Sequence, residues 1–148
     1  MTDVGFYHIQ KVSLEPVLLK LLQKSLSAGK RSLVLVDSAE RVQNLDLLLW
    51  NYEPASWLPH GASHDEYPEE QPILLSTEDE NLNHSHFLFL LEGMKTSNLA
   101  EYERCFILFE GRFEGAVNTA RTHWINYEKA GHQLTYWQQS DDGTWAKK

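Results

Sequence analysis

The sequence predicts an α/β fold with three layers, in which a mostly parallel sheet carries helices on both faces. Three observations lead to this prediction. Apolar stretches without alternation, such as SLVLV at residues 32–36, are typical of central strands that are covered on both sides. Amphipathic stretches with helix-capping residues lie between several of these strands. Strands and helices that alternate along a chain favour parallel pairing through crossover connections.

Six strands and three helices follow from these patterns. The strand candidates are residues 4–9, 32–36, 73–76, 87–91, 105–109 and 134–139. The helices cover residues 14–28, a segment that begins at Ser38, and residues 112–130. Ser13 and Ser38 are suited to cap helix N-termini, and Gly29 and Gly131 are placed to end helices. The inward face of the second helix is expected to consist of Val42, Leu45 and Leu49.

The composition predicts a single soluble domain over residues 1–148. The chain has the length of one ordinary domain, and 42% of it is hydrophobic, which excludes a disordered chain. No apolar run approaches the roughly 20 residues needed to cross a bilayer, so we expect no membrane association. The N-terminus carries an acid where a secretory signal has bases. A single cysteine, Cys105, suits a reducing cytoplasm.

The net charge of −8 is unevenly distributed. Residues 62–80 contain seven acids and no Lys or Arg, and we interpret this segment as a solvated loop. Proteins that neutralise several phosphates need a basic stripe, so we expect little direct binding to nucleic acid. Residues 112–148 contain five bases and four acids, which makes the C-terminal quarter the least acidic place to meet an anionic partner.

Phosphate-binding motifs are missing from the places where this fold class usually has them. The segment AGKRS at residues 28–32 resembles the end of a P-loop, but Lys24 stands where that motif has its first glycine. Arg31 stands where it has Ser or Thr, and a strand follows instead of a helix. The loop after the first strand, HIQKVS, contains no glycine. We therefore predict a Rossmann-like fold without a phosphate-binding loop, and no cofactor.

Candidate catalytic groups are few. Cys105 begins the apolar strand CFILF, where a buried and inert thiol is the simplest interpretation. His60, His64 and Asp65 lie close together in PHGASHDE, and zinc accepts such ligands. Their spacing is nonspecific, however. A small metal-dependent hydrolase that uses these three residues is the alternative function, and a protein-binding module is the leading one.

The stretch LDLLLWNYEPASWLPHG at residues 45–61 carries the strongest signal for binding. It places Trp50 and Trp57 on either side of Pro54, and two large rings near one helix exit can anchor a protein interface. This stretch resembles that of the chi subunit of bacterial DNA polymerase III, a clamp-loader accessory family. Further similar segments, in the family's order, are FY at residues 6–7, AGKR at 28–31, and the helix at 121–130 that leads into Gly131.

The resemblance implies a non-catalytic subunit of the polymerase III holoenzyme, with no cofactor of its own. In the family, chi bridges the psi subunit of the clamp loader and the acidic, hydrophobic C-terminal tail of the single-stranded-DNA-binding protein. Carried over to this sequence, the psi interface is expected at Trp50, Trp57, Pro59 and His60.

For the tail, the resemblance points to Arg121, Trp124, Ile125 and Lys129. The sequence departs from the family here, because basic groups are common in chi proteins at the positions of Arg121, Ile125 and Glu128. An isoleucine cannot donate to a carboxylate, and Glu128 would repel one. We therefore expect weak tail binding that depends mainly on Arg121, with Trp124 or Ile125 receiving the apolar end of the tail. Lys129 is expected to replace part of the lost charge.

Overall fold

The computed structural model describes residues 2–10, 12–51, 59–63, 65, 67–140 and 142–148. The strands in these ranges are β1 (Asp3–Ile9), β2 (Ser32–Leu35), β3 (Gly61–Ala62), β4 (Ile73–Ser76), β5 (Phe87–Leu90), β6 (Arg104–Glu110), β7 (Gln133–Gln139) and β8 (Trp145–Lys147). The helices are α1 (Leu14–Ser27), α2 (Ala39–Asn51) and α3 (Glu114–Lys129), and short 3-10 turns form at Pro68–Glu70 and Leu99–Glu101.

The strands form one mixed, mostly parallel sheet in the order β3-β4-β2-β5-β6-β1-β7-β8. Neighbouring strands are parallel except β7 and β8, which form an antiparallel hairpin at one edge. Every residue of β2, β4 and β5 is buried, as the unbroken apolar runs indicate. The predicted α/β class and mostly parallel sheet are therefore confirmed.

Two clusters of buried side chains cover opposite faces of the sheet. On one face, Leu22 of α1 and Leu45 of α2 share a cluster with Phe106 of the sheet. On the other face, Ala120 and Tyr127 of α3 pack in a cluster with sheet residues that include Phe6 and Ile107. Burying a Leu or Phe side chain fully stabilises a fold by about 1.5 to 3 kcal/mol. α1 and α2 thus cover one face of the sheet and α3 covers the other, which gives the three layers.

The ends of the helices follow the predicted signals with one difference. The backbone N–H of Arg41 donates to Ser38 Oγ over 3.1 Å at the start of α2. Gly29 and Gly131 have φ of 73° and 90°, a left-handed conformation that glycine adopts without strain. Ser13 occupies the cap position of α1, but its hydroxyl interacts with the Glu15 carboxylate rather than with a backbone N–H of the first turn.

Some elements differ from the sequence-based expectation. The acidic segment 62–80 is not only a solvated loop, because it contains part of β3 and a 3-10 turn in addition to the predicted strand at residues 73–76, which is β4. The hairpin strand β8 was not predicted, since its three residues are too few to show a pattern. Phe113 lies within the helix predicted over residues 112–130, but it precedes the first turn of α3 and is 54% exposed. Within the described ranges, no helix is long and apolar enough to cross a bilayer.

Candidate protein-binding surfaces

The exposed apolar residues at the end of α2 form the first candidate surface, which we call the α2 patch (Leu47 and Trp50). Leu47 is 64% exposed and Trp50 is 56% exposed. They are three residues apart and therefore neighbours on one side of the helix. The inward residues Val42, Leu45 and Leu49 are all buried, as predicted, so the α2 patch lies away from the core.

The chain that returns after α2 packs against this patch. The His60 imidazole lies against the Trp50 indole, with ring centroids 4.8 Å apart. His60 Nε2 is 2.9 Å from a carboxylate oxygen of Asp46. His60 is buried and Pro59 is half-buried, so these two residues support the exposed Trp50 rather than adding much surface themselves. Trp57, the second predicted anchor, lies outside the described residues.

The residues of the alternative metal site have structural contacts. His60 pairs with Asp46, and Asp65 accepts a hydrogen bond from the backbone N–H of Ala62 over 2.8 Å. His64 lies outside the described residues. Within the ranges that are described, no group of three or more His, Cys, Asp or Glu side chains is placed to hold a metal ion. Cys105 is buried, and burial raises the pKa of its thiol, which confirms the expected buried thiol.

The second candidate surface is a groove beside α3, which we call the α3 groove. It has a volume of about 340 Å³ and is lined by Val117, Ala120, Arg121, Trp124, Ile125 and Tyr136. Three of the four residues predicted for tail binding thus meet at one place. Arg121 is exposed, and Ile125, one turn further along, is 50% exposed. Lys129 is exposed in the last turn of α3 and does not line the α3 groove.

Aromatic packing fixes the floor of the α3 groove. The Trp124 ring packs on Phe6 at 5.1 Å and on Tyr136 at 6.0 Å between centroids. Trp124 is half-buried, so it contributes both to the core and to the groove. Because aromatic side chains have few rotatable bonds, this floor is preformed and little entropy is lost when a ligand binds.

Tyr136 of β7 is a groove residue that sequence reasoning missed. Its hydroxyl lies 2.6 Å from Nδ1 of His8 on β1. Burial raises the pKa of the Tyr136 hydroxyl, and the charge of Arg121 acts in the opposite direction. Burial also lowers the pKa of His8, and Arg121 adds to that effect. The polar end of the α3 groove therefore combines the cation of Arg121 with the hydroxyl of Tyr136. Leu134 and Tyr136 are two residues apart and therefore share one face of β7, and this spacing was the sequence signal that could have identified Tyr136.

A separate cavity lies at the carboxyl ends of β5 and β6, where nucleotides commonly bind in this fold class. It has a volume of about 280 Å³, and its lining includes the acids Glu92 and Glu110. Glu92 is paired with Arg41, and Glu110 is paired with Arg112. Among the described residues, the rest of the lining is mostly apolar and contains no Lys or Arg to bind a phosphate. This lining supports the prediction that the chain has no nucleotide site.

Comparison with known proteins assigns the family. A sequence profile described as "DNA polymerase III chi subunit, HolC" matches residues 1–135. The chain belongs to the DNA polymerase III chi subunit family. The probable DNA polymerase III subunit chi of Rickettsia prowazekii (strain Madrid E) is 23% identical over 110 residues, which are 74% of this chain and 67% of that protein. Membership supports an accessory role in DNA replication. The matched range contains the α2 patch and the whole α3 groove apart from Tyr136.

Proposed function

We propose that this chi-family chain is a non-catalytic bridge in the polymerase III holoenzyme. It binds the psi subunit of the clamp loader through the α2 patch and the C-terminal tail of the single-stranded-DNA-binding protein through the α3 groove. Its place of action is the cytoplasm. The observation that carries this proposal is the α3 groove, because it combines one exposed cation with a preformed apolar floor.

The α3 groove suits a short acidic peptide that ends in an apolar residue. Arg121 can donate to the terminal carboxylate, and a charge-assisted hydrogen bond of this kind contributes about 1.5 to 3 kcal/mol. The apolar side chain would rest on Trp124 and Ile125. Glu128 is exposed one turn beyond Trp124, and its charge weakens the attraction for acidic residues of the tail. The expected affinity is therefore low.

The α2 patch suits an apolar side chain of psi. Two large side chains that are more than half exposed and adjacent on one helix form a small cluster of the kind that dominates interface energies. The contact of the His60 ring with Trp50 restricts the indole before binding, which lowers the entropic cost of the complex. Trp57 and Pro59 are proposed to extend this interface.

The two surfaces lie on different layers of the fold. α2 packs with the residues of one face of the sheet, and α3 packs with the residues of the other. A ligand in the α3 groove is therefore separated from the α2 patch by the sheet. This separation supports a bridge that holds both partners at once.

The proposal is tested by calorimetric titration of a synthetic tail peptide into the wild type and Arg121→Ala. We expect Arg121→Ala to lose measurable binding and to keep the melting temperature of the wild type. Arg112→Ala is the matched control, because it removes the same charge from an exposed side chain before the same helix. A peptide with an amidated C-terminus should also bind more weakly. Equal affinities for wild type and Arg121→Ala would contradict the placement of the tail in the α3 groove.

A further inference from the structure

A second groove, which we call the α1–β8 groove, lies between α1 and the edge hairpin of β7 and β8. It has a volume of about 510 Å³, larger than the α3 groove. Aromatic rings from three strands, Tyr7, Trp137 and Trp145, form one wall. The opposite wall is the side of α1 that carries Pro16, Val17, Lys20, Leu21 and Lys24. None of the surfaces proposed above uses these residues.

The three rings form a compact aromatic cluster. Tyr7 and Trp137 lie nearly parallel, with centroids 6.4 Å apart and planes inclined by 16°. Trp145 meets Tyr7 edge-on at 5.5 Å. All three side chains are half-buried, so each is held in place while part of its ring stays accessible. Rings that are fixed in this way are suited to stack with a flat ligand.

The lining of the α1–β8 groove is positively charged although the chain carries −8. Lys20 and Lys24 are exposed and one helical turn apart, about 6 Å along the axis. Lys147 pairs with Trp137 across the hairpin and therefore lies on the same face of the sheet. The described lining contains no Asp or Glu. A ligand with repeated negative charges would be attracted to this place.

We propose that the α1–β8 groove binds single-stranded DNA, over one or two nucleotides. Bases stack on Trp137 and Trp145, and successive phosphates contact Lys20 and Lys24. This combination of aromatic stacking with a basic rim is typical of sequence-independent single-strand binding. Duplex DNA is disfavoured because its bases are already stacked on each other. The proposal does not depend on the psi or tail assignments.

An acidic peptide is the competing ligand, and the hydrogen-bonding groups of the groove argue against it. A peptide needs partners for its backbone amides. The amide side chain in the lining, Gln139, already accepts from the backbone N–H of Gln10 and donates to the carbonyl of Gly143. The groove thus presents rings, aliphatic side chains and the ammonium groups of Lys20 and Lys24. For the same reason we expect little preference among base sequences.

The net charge of −8 opposes this binding, so it should be weak and sensitive to salt. This agrees with the expectation that the chain makes little direct contact with nucleic acid. Each phosphate neutralised on a single strand makes the slope of log affinity against log salt more negative by about 0.7. Contacts to Lys20 and Lys24 should therefore give a slope of about −1.4.

The test is the fluorescence anisotropy of a labelled oligothymidylate, titrated with the full-length protein at low ionic strength. We expect Lys20→Ala/Lys24→Ala to bind about tenfold more weakly and to lose most of the salt dependence. Lys95→Ala/Arg112→Ala is the matched control, because it removes the same charge from exposed side chains elsewhere. Trp145→Leu should weaken binding at least about fivefold, since one stacked base is lost.

Four results would overturn the proposal. The first is absence of binding by the wild type at low ionic strength, and the second is equal weakening of binding in the two double variants. The third is equal affinity for duplex DNA of the same length. The fourth is displacement of the oligonucleotide by an acidic peptide that binds more tightly. Melting curves of all variants separate loss of binding from loss of fold. The two double variants alter only exposed side chains. Their comparison therefore still tests the proposal if Trp145→Leu disturbs the hairpin.

Discussion

The Nδ1 atom of His8 lies 2.6 Å from the hydroxyl of Tyr136, which links β1 to β7 below the α3 groove. The other nitrogen of the same ring, Nε2, is buried and lies against Gly111. A Cβ atom at residue 111 would overlap the His8 imidazole. Gly111 therefore has a packing role: its missing side chain leaves room for the ring that positions Tyr136.

Gly111→Ala should displace His8 and destabilise the fold. Overpacking of this kind costs about 1 to 3 kcal/mol in the free energy of unfolding, which urea denaturation measures. The tail peptide should also bind more weakly, because Tyr136 loses its support. Gly115→Ala is the control, since a Cβ there meets no atom within 4 Å and alanine favours the helix by about 1 kcal/mol.

The double variant His8→Ala/Gly111→Ala separates the overlap from other effects of the substitution. If the overlap is the cause, Gly111→Ala should cost much less in the His8→Ala background than in the wild type. An equal cost in both backgrounds would show that the backbone of residue 111, and not His8, is responsible.

Substitutions in the α2 patch should reduce psi binding without unfolding the protein. Trp50→Ala and Leu47→Ala remove side chains that are more than half exposed, so the melting temperature should change little. Truncating a hot-spot side chain costs about 2 kcal/mol or more of binding free energy. Val12→Ala, an exposed apolar truncation on another part of the surface, is the control for a psi pull-down or titration.

Normal psi binding by both α2 variants would show that the interface lies elsewhere. Unfolding of Trp50→Ala would instead identify the ring contact with His60 as a contribution to stability. The corresponding prediction for Trp57→Ala, that psi binding is abolished while the fold is retained, stays a sequence-based prediction because Trp57 lies outside the described residues.

The fold was predictable because its strands and helices are marked by strong local patterns. The buried runs of β2, β5 and β6 and the amphipathic α1 each have the length and periodicity of one element type. The strands β3 and β8 have only two and three residues, too few for a period to appear. Their formation depends on pairing with β4 and β7, which is a tertiary contact.

The grouping of the candidate residues was predictable only where one helix carries them. Arg121, Trp124 and Ile125 share a side of α3 because of helical spacing, and they do line one groove. His8 and Tyr136 are 128 residues apart, and only the parallel pairing of β1 with β7 brings them together. Leu47 was not predicted because the run LDLLLW places apolar residues on several sides of α2, so helical spacing alone does not show which of them is exposed.

Stability should fall as the pH drops below about 6.5, in part because of His123. Burial lowers the pKa of His123, and the charge of Lys95 acts in the same direction. An unfolded histidine titrates near about 6.5, so the unfolded chain binds this proton at a higher pH than the folded chain does. The contribution of His123 to the free energy of unfolding is complete above the pKa of the unfolded histidine. It is lost as the pH falls toward the lower pKa that His123 has in the folded protein.

Urea denaturation at about pH 7.5 and about pH 5.5 measures this effect. His123→Gln should show a smaller difference in unfolding free energy between the two pH values than the wild type. His8, whose pKa burial also lowers, contributes in the same direction, so His8→Ala/His123→Gln should show a smaller difference still. An unchanged difference in His123→Gln would mean that other groups determine the pH dependence.

Ile125→Lys should strengthen binding of the tail peptide. Ile125 is half exposed at the rim of the α3 groove, one turn from Arg121, so a lysine there would add a second cation toward the same carboxylates. We expect a gain of about 1 kcal/mol, roughly fivefold in affinity, that decreases with added salt. Because the substitution also removes an apolar contact, Ile125→Gln serves as the control, and it should bind no better than the wild type. If Ile125→Lys binds as weakly as Ile125→Gln, the isoleucine itself receives the apolar end of the tail, and this groove has exchanged a charged contact for an apolar one.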